Sequence, residues 1–406
     1  MSDPTDEDTP EEARFRHRVV EFLSARLAPR PRREQLQIMG AGSDDLESGR
    51  RFLATLAEAG MAVPRWPAHL GGMGATPEQA AIVARELARF DSPELYPFMV
   101  GIGLVGPTVI EHGTPDQQQR WLPGIRDGSE IWCQLFSEPD AGSDLANLGA
   151  RAERDGEVWR ASGSKVWSSR AHYSQWGILL ARTDPTVPKH AGITAFGVRM
   201  DTPGVTVRPL RQMNGDAHFN EVFLDEVVID DADRIGQPGA GWGIAVTVLA
   251  HERASIGEGW GSVSIAEVVD HARRHGGLDQ PVMRARVAEL VANLEVSRMS
   301  SLRARAARRS GRPPGPEGSG AKLRNGAVLK QLGEVALDLE GLSGLVDGDE
   351  WQTLFLTGPS LSIRGGTDEI QRNIVGERVL GLPPEPRTDK NVPFSASRRT
   401  PGEPAR

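Results

Sequence analysis

The feature that most constrains the fold is a change in hydrophobic periodicity near Ile131, which is reversed near Gly241. Before Ile131, apolar residues such as Phe15 and Val19 recur at helical spacing. Between the two points, short β-branched and aromatic runs alternate with Gly and Asp turns. After Gly241 the helical spacing returns and continues to about Leu380. The pattern predicts an α+β protein in which a β sandwich or barrel lies between two helical domains.

This periodicity divides the chain. The predicted parts are a disordered tail at 1–10, an N-terminal helical domain at 11–130, a middle β domain at 131–237, a C-terminal helical bundle at 238–383, and a second disordered tail at 384–406. The bundle is predicted to begin with one long helix over 241–275, followed by further helices.

Composition excludes several classes of protein. A net charge of −8 argues against nucleic acid as the main partner. Cys133 is the only cysteine, so internal disulfides and cysteine-based metal clusters are excluded, and we predict no metal site. No apolar run approaches the roughly 20 residues of a membrane span, and no signal-like apolar segment opens the chain. We therefore expect a cytoplasmic protein.

The loop that follows the first predicted strand is a candidate cofactor site. The apolar run 131–136 ends at Ser137-Glu138-Pro139 and opens into residues 141–144, Ala-Gly-Ser-Asp. Pro139 cannot donate to a sheet, and Gly142 permits close backbone approach. Such a loop suits a planar cofactor with a pyrophosphate tail. An ordinary exit from a strand explains the same residues.

Two motifs that suggest nucleotide or nucleic-acid binding are discounted. Gly101, Gly103 and Gly106 have the Gly-x-Gly-x-x-Gly spacing, but no strand precedes them and Pro107 follows. We predict a closely packed helix there. The basic run 298–312 lacks aromatic residues for stacking on bases, so a solvated helix face is the better interpretation.

Two segments carry chemistry with open alternatives. Glu252 and Arg253 lie within an apolar helical pattern. They are either a structural ion pair or a general base beside a cation. Residues 363–372 join two glycines to a helix start at Thr367. That second segment is either a plain capped helix or a turn whose backbone N–H groups approach a ligand.

Together these segments resemble the acyl-CoA dehydrogenase family over residues 11–383. The order helical, β, helical is the family's own. The matching motifs are Gln134-Leu135-Phe136-Ser137-Glu138-Pro139 with Ala141-Gly142-Ser143-Asp144, then Trp167-Ser168-Ser169, then Gly366-Thr367-Asp368-Glu369-Ile370-Gln371-Arg372.

The resemblance implies FAD as cofactor and an oxidoreductase activity on acyl-CoA. It implies that Trp167 stacks beside the flavin ring and that Ser168 lies near the reactive nitrogen. The implied cofactor-binding residues are Gln134, Phe136, Ser137, Gly142, Ser143, Trp167, Ser168, Ser169, Gly341, Thr367 and Glu369. The implied substrate-binding residues are Ser143, Arg253, Gly365 and Gly366.

The resemblance also indicates where the catalytic base lies. Many family members place a glutamate directly before the Gly-Thr of the last motif, but Gly365 stands there and cannot take a proton. One branch of the family uses the glutamate of a Glu-Arg pair on the first helix after the β domain. Glu252 is therefore predicted to remove the α-proton while a β-hydride passes to the flavin. A backbone N–H at Gly365 or Gly366, with the flavin's ribityl hydroxyl, would polarise the thioester carbonyl.

Two segments depart from the family pattern. Residues 271–281 lack the family's Phe-Gly pair, and residues 338–342 lack its Gln and second Gly. Both concern the half of the FAD site that is shared between subunits. Similar variation occurs in actinobacterial relatives that act on bulky thioesters such as steroid side chains, some as hetero-oligomers. Moving the base to Glu252 and placing Gly at 365 should also make room near the α-carbon, so a branched or polycyclic acyl group is expected.

The expected partners are an acyl-CoA or acyl-carrier-protein thioester and an electron-transfer flavoprotein or similar acceptor. A homodimer, homotetramer or heterotetramer is expected. Two alternatives stay open. One is a flavin-dependent monooxygenase on the same scaffold, against which Glu252 argues. The other is a non-catalytic subunit of a hetero-oligomeric dehydrogenase.

Overall fold

The computed structural model describes residues 8–30, 44–258, 264–309, 315–346, 350–387 and 389–397. Within them, helices come first, strands second and helices third, which confirms the predicted fold class. The first seven residues of the predicted N-terminal tail and residues 388 and 398–406 of the second tail lie outside the described residues.

The N-terminal part is built from capped amphipathic helices. Its helices are α1 (Pro10–Ser24), α2 (Leu46–Glu58), α3 (Pro77–Leu87), α4 (Gly106–His112) and α5 (Pro115–Asp127). Thr76 caps α3 by accepting from Gln79 N, while the Gln79 side chain accepts from Thr76 N. Thr9 and Thr114 cap α1 and α5 in the same way. These reciprocal bonds fix where each helix begins.

The three glycines of the discounted nucleotide motif form a helical turn, as predicted. Gly101–Val105 is a π-helical turn that leads directly into α4. A β-carbon added at Gly106 would lie 2.1 Å from Cζ2 of the buried Trp66. The glycine is therefore needed because the Trp66 ring lies against the backbone.

The middle part is one eight-stranded sheet. Its strands are β1 (Trp132–Leu135), β2 (Arg151–Asp155), β3 (Val158–Ser169), β4 (Trp176–Arg182), β5 (Ile193–Arg199), β6 (Val205–Leu210), β7 (Phe219–Asp230) and β8 (Arg234–Ile235). They are ordered β6-β7-β3-β2-β4-β5-β8, and β1 pairs in parallel with β4. The long β3–β7 antiparallel pair carries the site residues described below.

A cluster of three tryptophans joins the sheet to the helices. The rings of Trp132 and Trp176 stack with centroids 5.3 Å apart, and Trp121 of α5 meets Trp132 edge-on at 5.4 Å. Ile244 and Val248 belong to the same buried core. Helices on both sides of the β region therefore share one core with it, which holds the site elements in fixed positions.

The C-terminal part is a helical bundle. Its helices are α6 (Gly241–Glu258), α7 (Ile265–Arg274), α8 (Pro281–Arg309), α9 (Glu317–Glu340), α10 (Glu350–Thr357) and α11 (Asp368–Ile374). The single helix predicted over 241–275 was wrong, because Ser264 caps a new helix by accepting from Glu267 N. None of the helices in the described part of the chain is apolar over a long enough stretch to cross a membrane.

The predicted disorder of the C-terminal tail also differs from the structure. A short helix, α12 (Phe394–Ser397), lies near the sheet. The buried Phe394 ring stacks under the Arg182 guanidinium at 3.5 Å, and Phe394 N donates to Val187 O. Lys189 Nζ lies 2.6 Å from Asp389 Oδ2 and 2.8 Å from Asp144 Oδ2, so it joins the two carboxylates. One buried aromatic and one shared lysine thus order a segment whose polar composition predicted a free tail.

Two glycine substitutions test the packing at Trp66. Gly106→Ala should lower the free energy of unfolding by about 1–3 kcal/mol, because the new methyl group overlaps a buried ring. Gly243→Ala is the matched control, since Gly243 lies exposed on α6 and a β-carbon there meets no atom within 4 Å. The control should be neutral or stabilising by up to about 1 kcal/mol. Urea unfolding midpoints give the comparison, and equal midpoints for the two variants would contradict this packing.

Candidate functional site

The loop after β1 is folded tightly on itself and leaves its tip open. Glu138 N donates to Ala141 O and Ala141 N to Glu138 O, each at 3.1 Å. At the tip, Gly142 and Ser143 are exposed, and a β-carbon added at Gly142 would meet no atom within 4 Å. The loop therefore presents small groups and backbone to an open space, as a cofactor cradle requires.

A buried ion pair fixes this loop to β3. Lys165 Nζ is fully buried and donates to Glu138 Oε1 at 2.7 Å and to Phe136 O at 3.1 Å. The Glu138 carboxylate also accepts from the backbone N–H groups of Gly149 and Ala150, at 2.7 and 2.9 Å. Burial lowers the pKa of Lys165, and the charge of Glu138 opposes this shift. Each buried charge thus has several partners, the condition under which such a pair is tolerated.

The end of β3 brings the second predicted flavin segment next to the first. Val166 N donates to Ser137 O at 2.8 Å. The next residue, Trp167, has a φ of 61° and a ring that is 59% exposed, edge-on to Phe219 at 5.9 Å. An exposed tryptophan in left-handed backbone is costly and occurs mostly at functional sites. Trp167 therefore fits a position beside a planar ligand.

The structure separates the two serines that follow. Ser168 has no exposed surface, and Asn220 Nδ2 donates to its carbonyl at 3.0 Å. Ser169 is partly exposed. The Ser168 hydroxyl therefore has no accessible surface in this structure, and the position near a reactive nitrogen expected for Ser168 stays a prediction. Ser169 is the hydroxyl on this segment that a ligand can reach.

Arg170 closes the segment and connects it to the N-terminal helices. Its guanidinium binds both Asp44 oxygens, at 2.8 and 2.9 Å, and stacks on the Tyr96 ring at 4.4 Å. Tyr173 also donates to Asp44. Burial alone would raise the pKa of Asp44, but the hydrogen bonds from Arg170 and Tyr173 outweigh burial and keep the pKa below its ordinary value. Tyr96 is thereby held at the edge of the site.

The last motif forms a two-glycine turn before α11. Gly365 and Gly366 have φ values of 67° and 89°. The Gly366 carbonyl accepts from Lys322 Nζ at 2.7 Å, and the Gly365 carbonyl accepts from Gln371 Nε2 at 2.9 Å. Thr367 then caps α11 by accepting from Ile370 N at 3.3 Å. A glutamate at 365 would have to adopt a left-handed conformation, at a cost of about 1–2 kcal/mol.

Arg364, directly before that turn, connects it to α6. Burial lowers the pKa of Arg364 to about 10, and the charges of Tyr96 and Glu252 oppose the shift. Glu252 lies on α6 and is partly buried. Arg364, directly before the glycine turn, is therefore within electrostatic reach of both Tyr96 and Glu252. The side chain of Arg253 lies outside the described residues.

The described geometry connects most of the predicted site residues but not all of them. The loop after β1 and the Trp167 segment are joined by direct hydrogen bonds. Arg170 stacks on Tyr96, and the charges of Tyr96 and Glu252 both act on the pKa of Arg364. Gln134 and Ser137 are partly buried, whereas the Phe136 side chain is buried in the core and offers only its backbone.

Two predicted residues lie apart from these contacts. Gly341 is exposed at the end of α9. Glu369 is exposed, and its Oε1 lies 3.5 Å from Arg372 Nη1. Sequence reasoning missed Lys165, Arg170 and Tyr96. Only Lys165 carried a signal, as a lone lysine inside a strand-like pattern two residues before Trp167.

Comparison with known proteins gives a consistent result from residue 9 to residue 380. Three family models match in order: the N-terminal domain of acyl-CoA dehydrogenase at residues 9–129, the middle domain at 133–227 and the C-terminal domain at 239–380. Acyl-CoA dehydrogenase IpdE1 of Mycobacterium tuberculosis is 41% identical over 383 residues, which cover 91% of this chain and 98% of the relative.

Solved structures agree in fold. The Tcur3481-Tcur3483 steroid ACAD matches with a TM-score of 0.78 and 26% identity, covering 93% of this chain and 99% of that one. The ChsE4-ChsE5 complex from Mycobacterium tuberculosis matches with a TM-score of 0.73 and 26% identity, over the same shares of the two chains.

The buried pair predicts how the loop depends on Lys165. Lys165→Met leaves the Glu138 carboxylate buried without its cation, and such losses cost about 3–5 kcal/mol. The variant should unfold at lower urea concentration and, if the loop holds FAD, purify with less flavin per chain, measured by visible absorbance.

Two further variants control this test. Arg160→Met lies on the same strand as Lys165 and removes one partner of the exposed Arg160–Asp155 pair, so it should change neither quantity. The double variant Lys165→Met/Glu138→Gln has no unpaired buried carboxylate at 138 and should recover part of the lost stability. A Lys165→Met protein as stable as wild type would show that the pair does not fix the loop.

Proposed function

This chain belongs to the acyl-CoA dehydrogenase family, and we propose that Glu252 is the base that removes the α-proton of its thioester substrate. The family match makes the protein an oxidoreductase that dehydrogenates acyl-CoA. The observation that carries the proposal is the position of Glu252, partly buried on the first helix after the β domain. In addition, the charge of Glu252 raises the pKa of Arg364, which lies directly before the glycine turn. A nearby cation favours the ionised carboxylate, which is the form that accepts a proton.

The glycine turn supports the same assignment. Gly365 has no titratable side chain, and its left-handed backbone disfavours a glutamate there. Its role in the proposal is different: a backbone N–H of Gly365 or Gly366 binds the thioester carbonyl oxygen. Stabilising negative charge on that oxygen makes the α-proton more acidic. Ser143 and Arg253 are assigned to the remainder of the substrate.

The residues of the site fit FAD, the cofactor of this family. The open tip at Gly142 and Ser143 gives room for it, and Trp167 offers an exposed ring. Ser169 offers a reachable hydroxyl beside the ring system, and Ser168 stays the residue predicted near the reactive nitrogen. When bound, FAD would accept the hydride from the substrate's β-carbon. The proposed contacts are made by Gln134, Ser137, Gly142, Ser143, Trp167, Ser169, Gly341, Thr367, Glu369 and the Phe136 backbone.

The proposed substrate is the CoA thioester of a branched or polycyclic acid. Two observations support it: the similarity to solved steroid ACADs and the absence of a side chain at Gly365, which leaves room near the α-carbon. A hetero-oligomer is proposed on the same basis, because two of the similar structures are described as two-component proteins. An electron-transfer flavoprotein or similar protein would reoxidise the enzyme.

The alternatives are less well supported. A flavin monooxygenase has no use for a carboxylate coupled to the glycine turn. A non-catalytic subunit is favoured by one observation, the altered segments 271–281 and 338–342. The intact loop at Gly142, the exposed Trp167 and the Glu252–Arg364 coupling oppose it, since a subunit without chemistry needs none of them.

Anaerobic titration with acyl-CoAs tests the proposed base. Wild-type protein should bleach when mixed with a saturated branched or polycyclic acyl-CoA, and Glu252→Gln should keep its flavin but bleach at least about 100-fold more slowly. Glu289→Gln, at an exposed position on α8, is the matched control. Full activity of Glu252→Gln would refute the assignment, and a yellow wild type that no thioester bleaches would refute the dehydrogenase itself.

The pH profile tests the role of Arg364. Arg364→Met removes the cation that favours the ionised carboxylate, so a higher pH is needed to ionise the base. The acidic limb of kcat/KM should move upward by about one pH unit or more. Arg364→Lys keeps the positive charge and should move the acidic limb of kcat/KM less. Because the pKa of Arg364 is about 10, wild type keeps this cation throughout an assay range of neutral and acidic pH. An unchanged profile in Arg364→Met would contradict the coupling.

A further inference from the structure

A cluster of two histidines and one carboxylate lies in the C-terminal bundle, within the two segments, 271–281 and 338–342, that depart from the family pattern. His271 and His275 lie one helical turn apart at the C-terminal end of α7, and Glu340 is the last residue of α9. One potential ligand atom from each residue lies within 4.8 Å of the others. Two helix ends from different parts of the sequence therefore bring three ligand-type groups to one point.

The spacing of the histidines is the first argument for a metal. Residues at i and i+4 face the same side of a helix, so both imidazoles can bind one ion. Their ring centroids are 4.5 Å apart, with the planes inclined at 43°. The inclined rings do not stack face to face, and the arrangement leaves nitrogen atoms of both rings directed to a common region.

The distance to the carboxylate is the second argument. His271 Nε2 and Glu340 Oε1 are 3.6 Å apart, beyond an ordinary hydrogen bond. Two ligands of a tetrahedral ion, each about 2.0–2.1 Å from it, are separated by about 3.3–3.4 Å. The His271–Glu340 pair is therefore within a few tenths of an ångström of the separation that a shared ion requires. The three ligand atoms lie within 4.8 Å of one another, so His275 would move closer when the ion binds.

Burial and orientation are the third argument. His271 is 3% exposed and packs against Trp351, with ring centroids 4.5 Å apart, so its ring orientation is fixed. The Glu340 side chain is also buried. His275 is exposed and gives access from solvent. A site with two anchored buried ligands and one solvent-facing ligand offers an entry path and an open coordination position.

We propose that His271, His275 and Glu340 together bind one transition-metal ion of the zinc type. Two imidazole nitrogens and one carboxylate oxygen are a ligand set for Zn²⁺, Co²⁺ or Ni²⁺, whereas Mg²⁺ and Ca²⁺ prefer oxygen ligands alone. The ion bridges the ends of α7 and α9 and stabilises their contact, because it binds the folded site and not the separated helices. This differs from the absence of a metal site predicted from the sequence, which considered cysteine clusters.

Zinc binding by the full-length, flavin-loaded protein tests the site. After treatment with a chelator and dialysis, wild type should bind one Zn²⁺ per chain by calorimetry, and its thermal midpoint should rise with added Zn²⁺. His275→Gln should weaken binding by at least about 10-fold, since loss of even an outer partner of a metal ligand costs 10–100-fold. Glu340→Gln should weaken it as well.

His69→Gln is the matched control, because His69 is an exposed histidine in the N-terminal part. It should bind Zn²⁺ as wild type does. Because His275 is exposed, its replacement should leave the fold intact, and an unchanged far-UV circular dichroism spectrum of each variant checks this. No saturable Zn²⁺ binding to wild type, or equal affinity in wild type and His275→Gln, would overturn the proposal. The readouts are binding and stability, so failure of the proposed reaction would not affect them.

Discussion

The buried pair of Lys165 and Glu138 is the interaction on which the candidate site depends. It joins two segments that are 27 residues apart in sequence, the loop after β1 and the centre of β3. Because Glu138 also accepts two backbone N–H groups and Lys165 also donates to the Phe136 carbonyl, neither charge is left without a partner. The open tip at Gly142 and the exposed Trp167 take their positions from this pair.

A second set of contacts connects that wall of the site to the chemistry. Arg170 follows Trp167 by three residues, holds Asp44 and stacks on Tyr96. Tyr96 in turn is coupled to Arg364, which is coupled to Glu252. The candidate site thus combines residues from the N-terminal helices, the sheet, α6 and the last glycine turn. The shared tryptophan core fixes the N-terminal helices, the sheet and α6 relative to one another.

Much of this arrangement was predictable from the sequence, for identifiable reasons. Periodicity gave the three-part fold, and local motifs gave the loop at Gly142, the Trp167 segment and the turn at Gly365, because each is a short segment with unusual backbone requirements. Long-range partners were not predictable. The fold alone brings Lys165 to Glu138 and places Arg364 within electrostatic reach of Glu252, and no local sequence pattern encodes either relation. The ordered segment at Phe394 was not predicted either, because its sequence is mostly polar and its one buried ring packs on the distant Arg182.

The most direct measurement of the proposed base follows the proton itself. Wild type and Glu252→Gln, with the flavin reduced beforehand, are incubated in D₂O with an acyl-CoA, and the loss of the α-hydrogen signal is followed by NMR. Reduced flavin cannot accept a hydride, so the signal reports proton removal alone. Glu252 as base predicts exchange in wild type and little or none in Glu252→Gln. Equal exchange rates in the two proteins would show that another group takes the proton.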